Sequence, residues 1–357
     1  MLYKISKKML ESYKFYTLDS IEKSSVITNI LKADVLNNPE NVLIVSLDVK
    51  NLKSIIEQLN KFSFEKNNIH LICPGILEDE TQMFALLNEI LNVSKCKLFI
   101  LQNKFSELKY FFEAADIANF HLNVHILHNS LQMVKNQLDD LNPKVFRSIS
   151  NLSVSGFQQH LSEQISIEQN HFDHYRLGNI ISQIEVLNKP IQFADALIAD
   201  INVLKQSDVP SRSSIGSSGL TSEMFNQIAR TTGLSKSTRV TILSGLDELR
   251  EDDPTSFDTI AQFIYYYISG AIRSSQMNHA DKFTNYFIEE CLPYGSVTFL
   301  KNEYNMEWFA KYPDNLPDHY SKYQIIPCTY NDYQYSGQGE LSPRLAEIFK
   351  WLDDLSK

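Results

Sequence analysis

The amino-acid sequence predicts an α/β fold, a three-layer α/β/α sandwich with a mostly parallel sheet. Short apolar runs alternate with longer helical patterns, and the unit recurs about every 25 to 30 residues, as in a chain of βα units. The runs are apolar throughout and do not alternate with polar residues, which is typical of strands that helices cover on both faces. With 357 residues, 43% of them hydrophobic, the chain is long enough to bury such a core.

The first part of the chain carries four predicted strands with a helix between each successive pair. The strands are residues 41–48, 68–75, 96–103 and 122–129. The helices between them are predicted at LKSIIEQLNKF, TQMFALLNEILNV and FSELKYFFEAADIAN. In the first helix, Ile55, Leu59 and Phe62 fall on one face, which is the periodicity of an amphipathic helix.

The same alternation continues through the middle of the chain and then changes. The predicted elements are a helix at 173–189, a strand at 194–202, a polar loop at 204–219, a helix at 220–234, a strand at 237–247 and a helix at 256–272. Thr221 is the expected N-cap of the helix at 220–234, and Gly233 is its expected stop. After residue 280 the runs are short, aromatic and separated by Pro or Asn, which predicts β-rich irregular structure before a final helix at 345–355.

Composition and charge limit the expected partners and compartment. The formal net charge is −10 and the basic residues form no long run, so neither nucleic acid nor a membrane surface is an expected partner. Lysines interrupt the N-terminal residues and no run of about 18 apolar residues occurs, so we expect a soluble cytoplasmic protein. The four cysteines match no zinc or disulfide spacing and are expected to be buried free thiols.

The end of the strand at 194–202 is the first candidate for a functional site. Ligands of an open parallel sheet bind beyond the carboxyl ends of its strands. Asp200 and Asn202 lie two residues apart at this end, so on a strand their side chains share a face. Two oxygen donors on one face could hold a hard or borderline cation.

Several motifs surround this strand in a fixed order. They are Tyr-Arg-Leu-Gly at 175–178, Ala-Asp-Ile-Asn at 199–202, Gln-Ser-Asp-Val-Pro at 206–210, Ser-Gly-Leu-Thr at 218–221, Gln-Ile-Ala-Arg at 227–230 and Pro-Cys-Thr-Tyr-Asn-Asp-Tyr-Gln at 327–334. In these motifs the chain resembles the ureohydrolase family (arginase, agmatinase and formimidoylglutamase), and it is most similar to formimidoylglutamase-like members from the Bacteroidetes group. The resemblance covers residues 140–340 well and the residues before them weakly.

The resemblance implies a domain organisation and a metal centre. It implies an N-terminal segment of residues 1–22, an arginase-like α/β domain of residues 23–275, and a β-rich C-terminal extension of residues 276–357 packed on the same domain. Active members of the family bind two Mn²⁺ through a Gly-Gly-x-His segment, an Asp-x-His-x-Asp strand end and an Asp-x-Asp strand end. The metal pair activates a water molecule that attacks a guanidinium or formimino carbon.

Most of these ligand positions are changed in this sequence. Gln102, Lys104 and Ser106 align with the Asp-x-His-x-Asp strand end, and Asn202 follows Asp200 where the family has a second aspartate. An ammonium group repels a divalent cation, and a neutral amide is a weaker ligand than a carboxylate. We therefore expect no catalytic residue, cofactor-binding residue or metal ligand, and we interpret these five positions as remnants of the metal site.

Further carboxylates lie near the aligned positions. Asp208 belongs to the Asp-Val-Pro segment, and Glu248 is the nearest substitute for the family's substrate-binding glutamate. The segment that aligns with Gly-Gly-x-His contains no histidine. A shifted alignment there could return a carboxylate to the site from Glu78, Asp79 or Glu80.

Two groups of histidines have a structural interpretation. On a strand, His121 and His125 share one face and His128 points to the other, so three ligands for one ion are not expected. His171 and His174 are interpreted as part of a solvated helix face.

Three functions are compatible with these observations. The leading hypothesis is a catalytically inactive ureohydrolase homologue with a structural or regulatory interaction role, which needs no cofactor, forms a homo-oligomer and has an unidentified protein partner. The alternative is a manganese-dependent hydrolase of a C–N bond in a guanidino or formimino substrate. The third is a metal-free small-molecule binder that uses Lys104, Asp200 and Asn202 as polar contacts.

Overall fold

The chain folds into two compact units. They comprise Met1–Ser275 and Gln276–Lys357. The structure, a computed structural model, describes residues 14–17, 38–47, 51–63, 69–73, 80–118, 122–142, 144–145, 149–161, 173–212, 216–280, 283–303, 308–317 and 323–356. The packing of the C-terminal extension on the α/β domain stays a prediction.

The first unit is built on a nine-stranded sheet. Its strands are β1 (Lys14–Thr17), β2 (Val42–Leu47), β3 (Ile69–Cys73), β4 (Lys97–Gln102), β5 (Leu122–Leu127), β6 (Ile149–Phe157), β7 (Asp173–Arg176), β8 (Ala196–Asp200) and β9 (Val240–Ser244). They lie in the order β1-β3-β2-β4-β9-β8-β5-β6-β7. All neighbouring pairs are parallel except β1 and β3, which are antiparallel. The prediction of a mostly parallel sheet is confirmed.

Helices cover both faces of this sheet. They are α1 (Leu52–Leu59), α2 (Glu80–Val93), α3 (Leu108–Ile117), α4 (Leu131–Asp139), α5 (Leu177–Ser182), α6 (Asn188–Phe193), α7 (Ser222–Leu234) and α8 (Pro254–Ala280). Leu98 and Ile100 of β4 join one hydrophobic cluster, with α2, α3 and α4. Phe99 and Leu101 of the same strand join a second cluster, with α1, α7 and α8. Successive residues of one strand point to opposite layers, so the predicted three-layer sandwich is confirmed.

Two strands at one end of the sheet differ from the sequence prediction. The helix predicted at 173–189 is wrong at its start, because Asp173–Arg176 forms β7 and pairs with β6. β6 is not predicted from the sequence. Ser153 and Ser155 interrupt its apolar pattern, and they face the buried His125 of β5, with their hydroxyls 2.6 Å and 2.9 Å from Nδ1 and Nε2. Both segments are strands because they pair with segments that are distant along the chain. Local sequence patterns do not reveal such pairing.

Two basic side chains connect helix C-termini to the amino-terminal end of the sheet. The ammonium of Lys97 donates to the carbonyls of Gly233 and Ser235, at the end of α7. The guanidinium of Arg239 donates to the carbonyls of Leu91 and Ser94, at the end of α2. The last carbonyls of a helix have no partner inside the helix and carry partial negative charge, so both contacts stabilise the helix ends.

The second unit contains an antiparallel sheet and two helices. Its elements are β10 (Phe283–Cys291), β11 (Gly295–Asn302), β12 (Trp308–Lys311), β13 (Ile325–Cys328), α9 (Tyr330–Ser336) and α10 (Pro343–Ser356). The strands are antiparallel neighbours in chain order. The hydroxyls of Tyr294 and Tyr312 donate to the two carboxylate oxygens of Asp353, at 2.6 Å and 2.5 Å, and so connect the sheet to α10. The predicted β-rich C-terminal region and final helix are confirmed.

Helix hydropathy and thiol state add two observations. No helix among the described residues is long and apolar enough to cross a membrane. Cys96, Cys291 and Cys328 are free thiols, and the first two are buried. For these three residues the prediction of free cysteines is confirmed.

Helices α7 and α8 touch backbone to backbone through two glycines. A Cβ on Gly233 would lie 2.2 Å from the carbonyl oxygen of Tyr267, and a Cβ on Gly270 would lie 2.4 Å from that of Arg230. Neither neighbour is a flexible side chain, so a methyl group at either position must push the helices apart.

We expect Gly233→Ala to lower the free energy of unfolding by about 1–3 kcal/mol, because it overpacks this contact. Gly178→Ala is the matched control: Gly178 lies exposed in α5, and its added Cβ would meet nothing within 4 Å. The control should raise the free energy of unfolding by up to about 1 kcal/mol, because alanine favours the helix. Urea denaturation measures both values, and equal effects of the two substitutions would contradict the tight α7–α8 contact.

Candidate functional site

The carboxyl ends of four neighbouring strands bring polar residues together at one edge of the sheet. Gln102 ends β4, Ser244 ends β9, Asp200 ends β8 and His128 follows β5. All four side chains are buried, and only 1% of the surface of Asp200 is exposed. The predicted position of Asp200 at the carboxyl end of a central strand is confirmed. Parallel strands expose their carboxyl ends at the same edge, so this edge is the candidate site.

The carboxylate of Asp200 is the centre of this edge. Its Oδ1 accepts hydrogen bonds from the backbone N–H and from the side-chain Nδ2 of Asn202, both at 2.9 Å. Its Oδ2 accepts a hydrogen bond from Ser244 Oγ at 2.8 Å. Three hydrogen bonds therefore offset the cost of burying this carboxylate.

A glycine allows the chain after β9 to pass close to Asp200. Gly245 has a φ of 85°, in the left-handed region that side chains disfavour. A Cβ at this position would lie 2.8 Å from Ile201 Cγ1 and 3.2 Å from Asp200 Oδ2. The close approach fixes the short 3-10 turn Leu246–Glu248, which carries Glu248 to the site.

The side-chain amide of Asn202 lies between two carboxylates. Its Nδ2 is 2.9 Å from Asp200 Oδ1 and 3.4 Å from each carboxylate oxygen of Glu248. A carboxylate only accepts hydrogen bonds, so the NH₂ group is the end of the amide that faces both acids. Asn202 thus supplies hydrogen-bond donors where the family resemblance implies an acidic metal ligand.

His128 follows β5, which neighbours β8 on the side opposite to β9. Its Nδ1 accepts a hydrogen bond from the N–H of Ser130 at 2.9 Å, and its ring centre is 4.5 Å from that of Phe105. Burial lowers the pKa of His128, while the negative charges of Asp200 and Glu248 act in the opposite direction. Because Nδ1 accepts a hydrogen bond it carries no proton, so His128 is a neutral imidazole whose ring contacts Phe105 at an interplanar angle of 55°.

Arg212 supplies a buried positive charge beside Glu248. Its Nη1 donates to the carbonyls of Asn202 and Leu204, and its Nη2 donates to the carbonyl of Gly216 at 2.5 Å. Burial lowers the pKa of Arg212, and the charge of Glu248 opposes that shift. Guanidinium groups stay protonated in proteins, so Arg212 partly balances the two carboxylates.

The structure brings together only some of the residues predicted from the sequence. Asp200, Asn202 and Glu248 form one hydrogen-bonded group, as described above. Gln102 is buried and donates from Nε2 to the carbonyl of Lys104 at 3.1 Å. The side chain of Lys104 is exposed at the same edge. Burial raises the pKa of Asp247, and the positive charge of Lys104 acts on that pKa in the opposite direction.

The remaining predicted residues lie elsewhere. Ser106 is exposed in the 3-10 turn Phe105–Glu107. Asp208 accepts a hydrogen bond from the N–H of Ser222 at 2.6 Å, so its carboxylate stabilises the N-terminus of α7. Glu78 and Asp79 lie outside the described residues, and so do His121 and His171. The interpretation of His174 as part of a solvated helix face is wrong, because it lies in β7 with its ring centre 6.0 Å from that of Phe157.

Four residues of the site were not singled out as members of it by the sequence analysis. They are Phe105, His128, Arg212 and Ser244. In the sheet, β8 lies between β9 and β5, so the strand end beside Asp200 is that of β5 and carries His128. A signal for His128 exists in the sequence, because it directly follows an apolar strand. Arg212 stands in a polar loop, where no local pattern marks it.

The donor set at this edge differs from the one that the family resemblance implies for two Mn²⁺. Within the part of the chain that the structure describes, no group of three or more His, Cys, Asp or Glu side chains could hold a metal ion. Both oxygens of Asp200 accept protein hydrogen bonds, and the Asn202 amide presents hydrogens to the site. A dinuclear centre needs several carboxylate and imidazole ligands, so the residues that the structure describes at this edge do not fit it.

The fold defined by this sheet and these helices is that of the ureohydrolases. Formiminoglutamase from Trypanosoma cruzi with Mn²⁺ is similar with a TM-score of 0.55 and 13% identity, over 72% of this chain and 98% of that chain. Formimidoylglutamase from Bacillus subtilis has a TM-score of 0.55 and 13% identity, over 71% and 96%. Agmatine ureohydrolase of Thermoplasma volcanium has a TM-score of 0.54 and 9% identity, over 73% and 100%.

The resemblance noted in the sequence is confirmed at the level of the fold. Family models and curated proteins give no match to the chain.

The Asn202 amide provides a direct test of this arrangement. We expect Asn202→Asp to lower the free energy of unfolding by about 1–3 kcal/mol at pH 8, because it replaces a donor with a third carboxylate. The like charges raise the pKa of the new carboxyl in the folded state above its unfolded value, so the loss should grow as pH rises from about 4 and shrink toward lower pH.

The control for this substitution is Asn179→Asp, the same chemical change at an exposed position of α5. It should alter the free energy of unfolding by no more than about 0.5 kcal/mol. Urea denaturation at several pH values measures both variants. A pH-independent effect of Asn202→Asp would contradict the two-carboxylate contact.

Proposed function

We propose that this protein is a catalytically inactive ureohydrolase-fold protein with a structural or regulatory interaction role. One observation carries the proposal: the Asn202 amide donates to Asp200 and faces Glu248, at the position where the family resemblance implies a second aspartate ligand. A hydrogen-bonding amide thus lies between the two carboxylates, where the resemblance implies a negatively charged ligand.

The charge balance of the edge supports the same proposal. Two Mn²⁺ ions bring four positive charges, which the ligands must offset. Asp200, Glu248 and the exposed Asp247 supply at most three negative charges, and the buried guanidinium of Arg212 already interacts with Glu248. The ammonium of Lys104 at the same edge adds repulsion. The ring of Phe105 contacts His128 with ring centres 4.5 Å apart and an interplanar angle of 55°.

We expect the purified protein to contain less than one manganese ion per chain after growth with added manganese, measured by elemental analysis. We also expect no release of urea, ammonia or formamide from arginine, agmatine or formiminoglutamate above the level given by Asp200→Ala. The physical reason is the missing negative charge, which geometry cannot replace.

The alternative function is a manganese-dependent hydrolase of a C–N bond in a guanidino or formimino substrate. The observation that favours it is the fold shared with a formiminoglutamase whose structure contains Mn²⁺. Asp200, Glu248 and His128 would be the residues nearest such a metal. Two manganese ions per chain, together with turnover that Asp200→Ala abolishes, would establish this alternative and overturn the inactive assignment.

We further propose that the protein self-associates and that its interaction role uses the C-terminal unit. Large apolar side chains are exposed there, among them Phe287, Leu292, Tyr330 and Tyr335. Aromatic side chains are enriched at protein interfaces.

The mass in solution tests self-association. We expect light scattering to give a mass above that of the 41.1 kDa chain at micromolar concentration, because these apolar groups leave water on association. A mass equal to that of one chain throughout the micromolar range would contradict it. This result is independent of the metal content and turnover measured above.

A further inference from the structure

β10 lies at an edge of the C-terminal sheet. Its nine residues pair with β11, and among the described residues no other strand pairs with it. An edge strand presents N–H and C=O groups that can pair with another chain. The opposite edge strand, β13, is only four residues long and contains Pro327, which has no N–H to donate. β10 is therefore the edge at which this sheet can be extended.

The first six residues of β10 form a regular and uncharged stretch. Phe283 to Ile288 pair residue by residue with β11, and the register shifts only after Ile288. The stretch reads FTNYFI, with no proline and no charge, and its aromatic and β-branched residues favour extended structure. Glu289 and Glu290 follow it, where the irregularity bends the strand. If another strand pairs along Phe283 to Ile288, Glu289 and Glu290 lie outside the paired segment.

Tyr286 and Phe287 lie on opposite faces of this stretch and differ in exposure, while Phe283 is half-buried with its ring centre 5.8 Å from that of Phe309. Tyr286 points to the face where its ring packs at 4.9 Å from Trp308 and 5.5 Å from Tyr333. On the other face, Phe287 is 65% exposed. Phe283 lies on the same face as Phe287, since residues four apart on a strand share a face. An exposed phenyl ring thus stands four residues from a second phenylalanine on the same edge strand.

We propose that β10 pairs antiparallel with β10 of a second copy of this chain, around a two-fold axis at Asn285. This inference rests on the proposed self-association and names its surface. In this register Phe287 lies opposite Phe283 of the second copy, and the symmetry repeats that contact. Asn285 lies opposite its own copy, and Thr284 lies opposite Tyr286. The two four-stranded sheets become one sheet of eight strands.

Self-complementarity is what selects a second copy as the partner. The register places no like charges opposite each other, and it forms two aromatic cross-strand pairs that cover the exposed ring of Phe287. Two asparagine side chains facing each other can exchange amide hydrogen bonds, because each has a donor and an acceptor end. Registers centred on Glu289 would instead place carboxylates opposite each other. A two-fold interface that uses one patch twice closes as a dimer.

Light scattering of matched variants tests the surface. We expect Phe287→Lys to halve the mass measured for the wild type, because it places two buried ammonium groups in the interface. Ile181→Lys is the control, since Ile181 is 54% exposed in the first unit and should leave the mass unchanged. Unfolding curves of both variants confirm that each is folded.

Cross-linking tests the register without removing the interface. Directly opposed residues of antiparallel strands have Cα atoms about 4.5 to 5.5 Å apart, within reach of a disulfide. We therefore expect Asn285→Cys to give a covalent dimer under mild oxidation, and Glu289→Cys and the wild type to give none. Glu289 is exposed on the same strand but lies far from its symmetry mate in this register.

The outcomes separate the two proposals. A monomeric wild type would overturn self-association, and this surface with it. A wild type that stays oligomeric, with an unchanged mass for Phe287→Lys and no cross-link for Asn285→Cys, would overturn only the β10 surface. Capture of a different protein by β10 in place of a second copy would also overturn it.

Discussion

Burial of the central strands on both faces is the constraint on which the rest of the first unit depends. Apart from Lys97, Thr241 and the last residue of each strand, every residue of β4, β8 and β9 belongs to one of two hydrophobic clusters, so few side chains of these strands can be polar before the last residue. Polar groups are consequently concentrated where the strands end. Because the strands are parallel, those ends meet at one edge, and Asp200, Ser244 and Gln102 become neighbours although they are distant along the chain.

A buried carboxylate at this edge requires compensation, and two kinds are available to this fold. Metal ions can supply it, and hydrogen-bond donors and cationic side chains can supply it without a metal. In this chain, hydrogen bonds from Asn202 and Ser244 satisfy Asp200, and the guanidinium of Arg212 lies near Glu248. The amide and the hydroxyl stabilise the charge without neutralising it. A metal ion that entered this edge would therefore meet the hydrogen-bond donors of Asn202 and Ser244 and the positive charge of Arg212.

The C-terminal unit is organised by a different balance. Its sheet has four antiparallel strands, and aromatic side chains such as Trp308 and Tyr333 pack on one face, with ring centres 4.7 Å apart. The other face is also covered along the central strands, since Leu300 and Phe309 on that face are buried. Phe287 lies on that face of β10, and its exposure follows from the position of this strand at the edge of the sheet.

The sequence by itself determined the fold class, the strands with continuous apolar runs and the place of Asp200 at a strand end. These features depend on local periodicity and burial, which neighbouring residues encode. Asn202 is predicted on the same strand, but it lies in the 3-10 turn Ile201–Val203 that follows. Tertiary structure alone decided that β5 lies beside β8, so that His128 and Phe105 reach the site, and that Arg212 lies beside Glu248. It also decided that β6 and the polar β7 are strands. Their pairing joins segments far apart in the chain, and no local pattern specifies which distant strand supplies the partner hydrogen bonds.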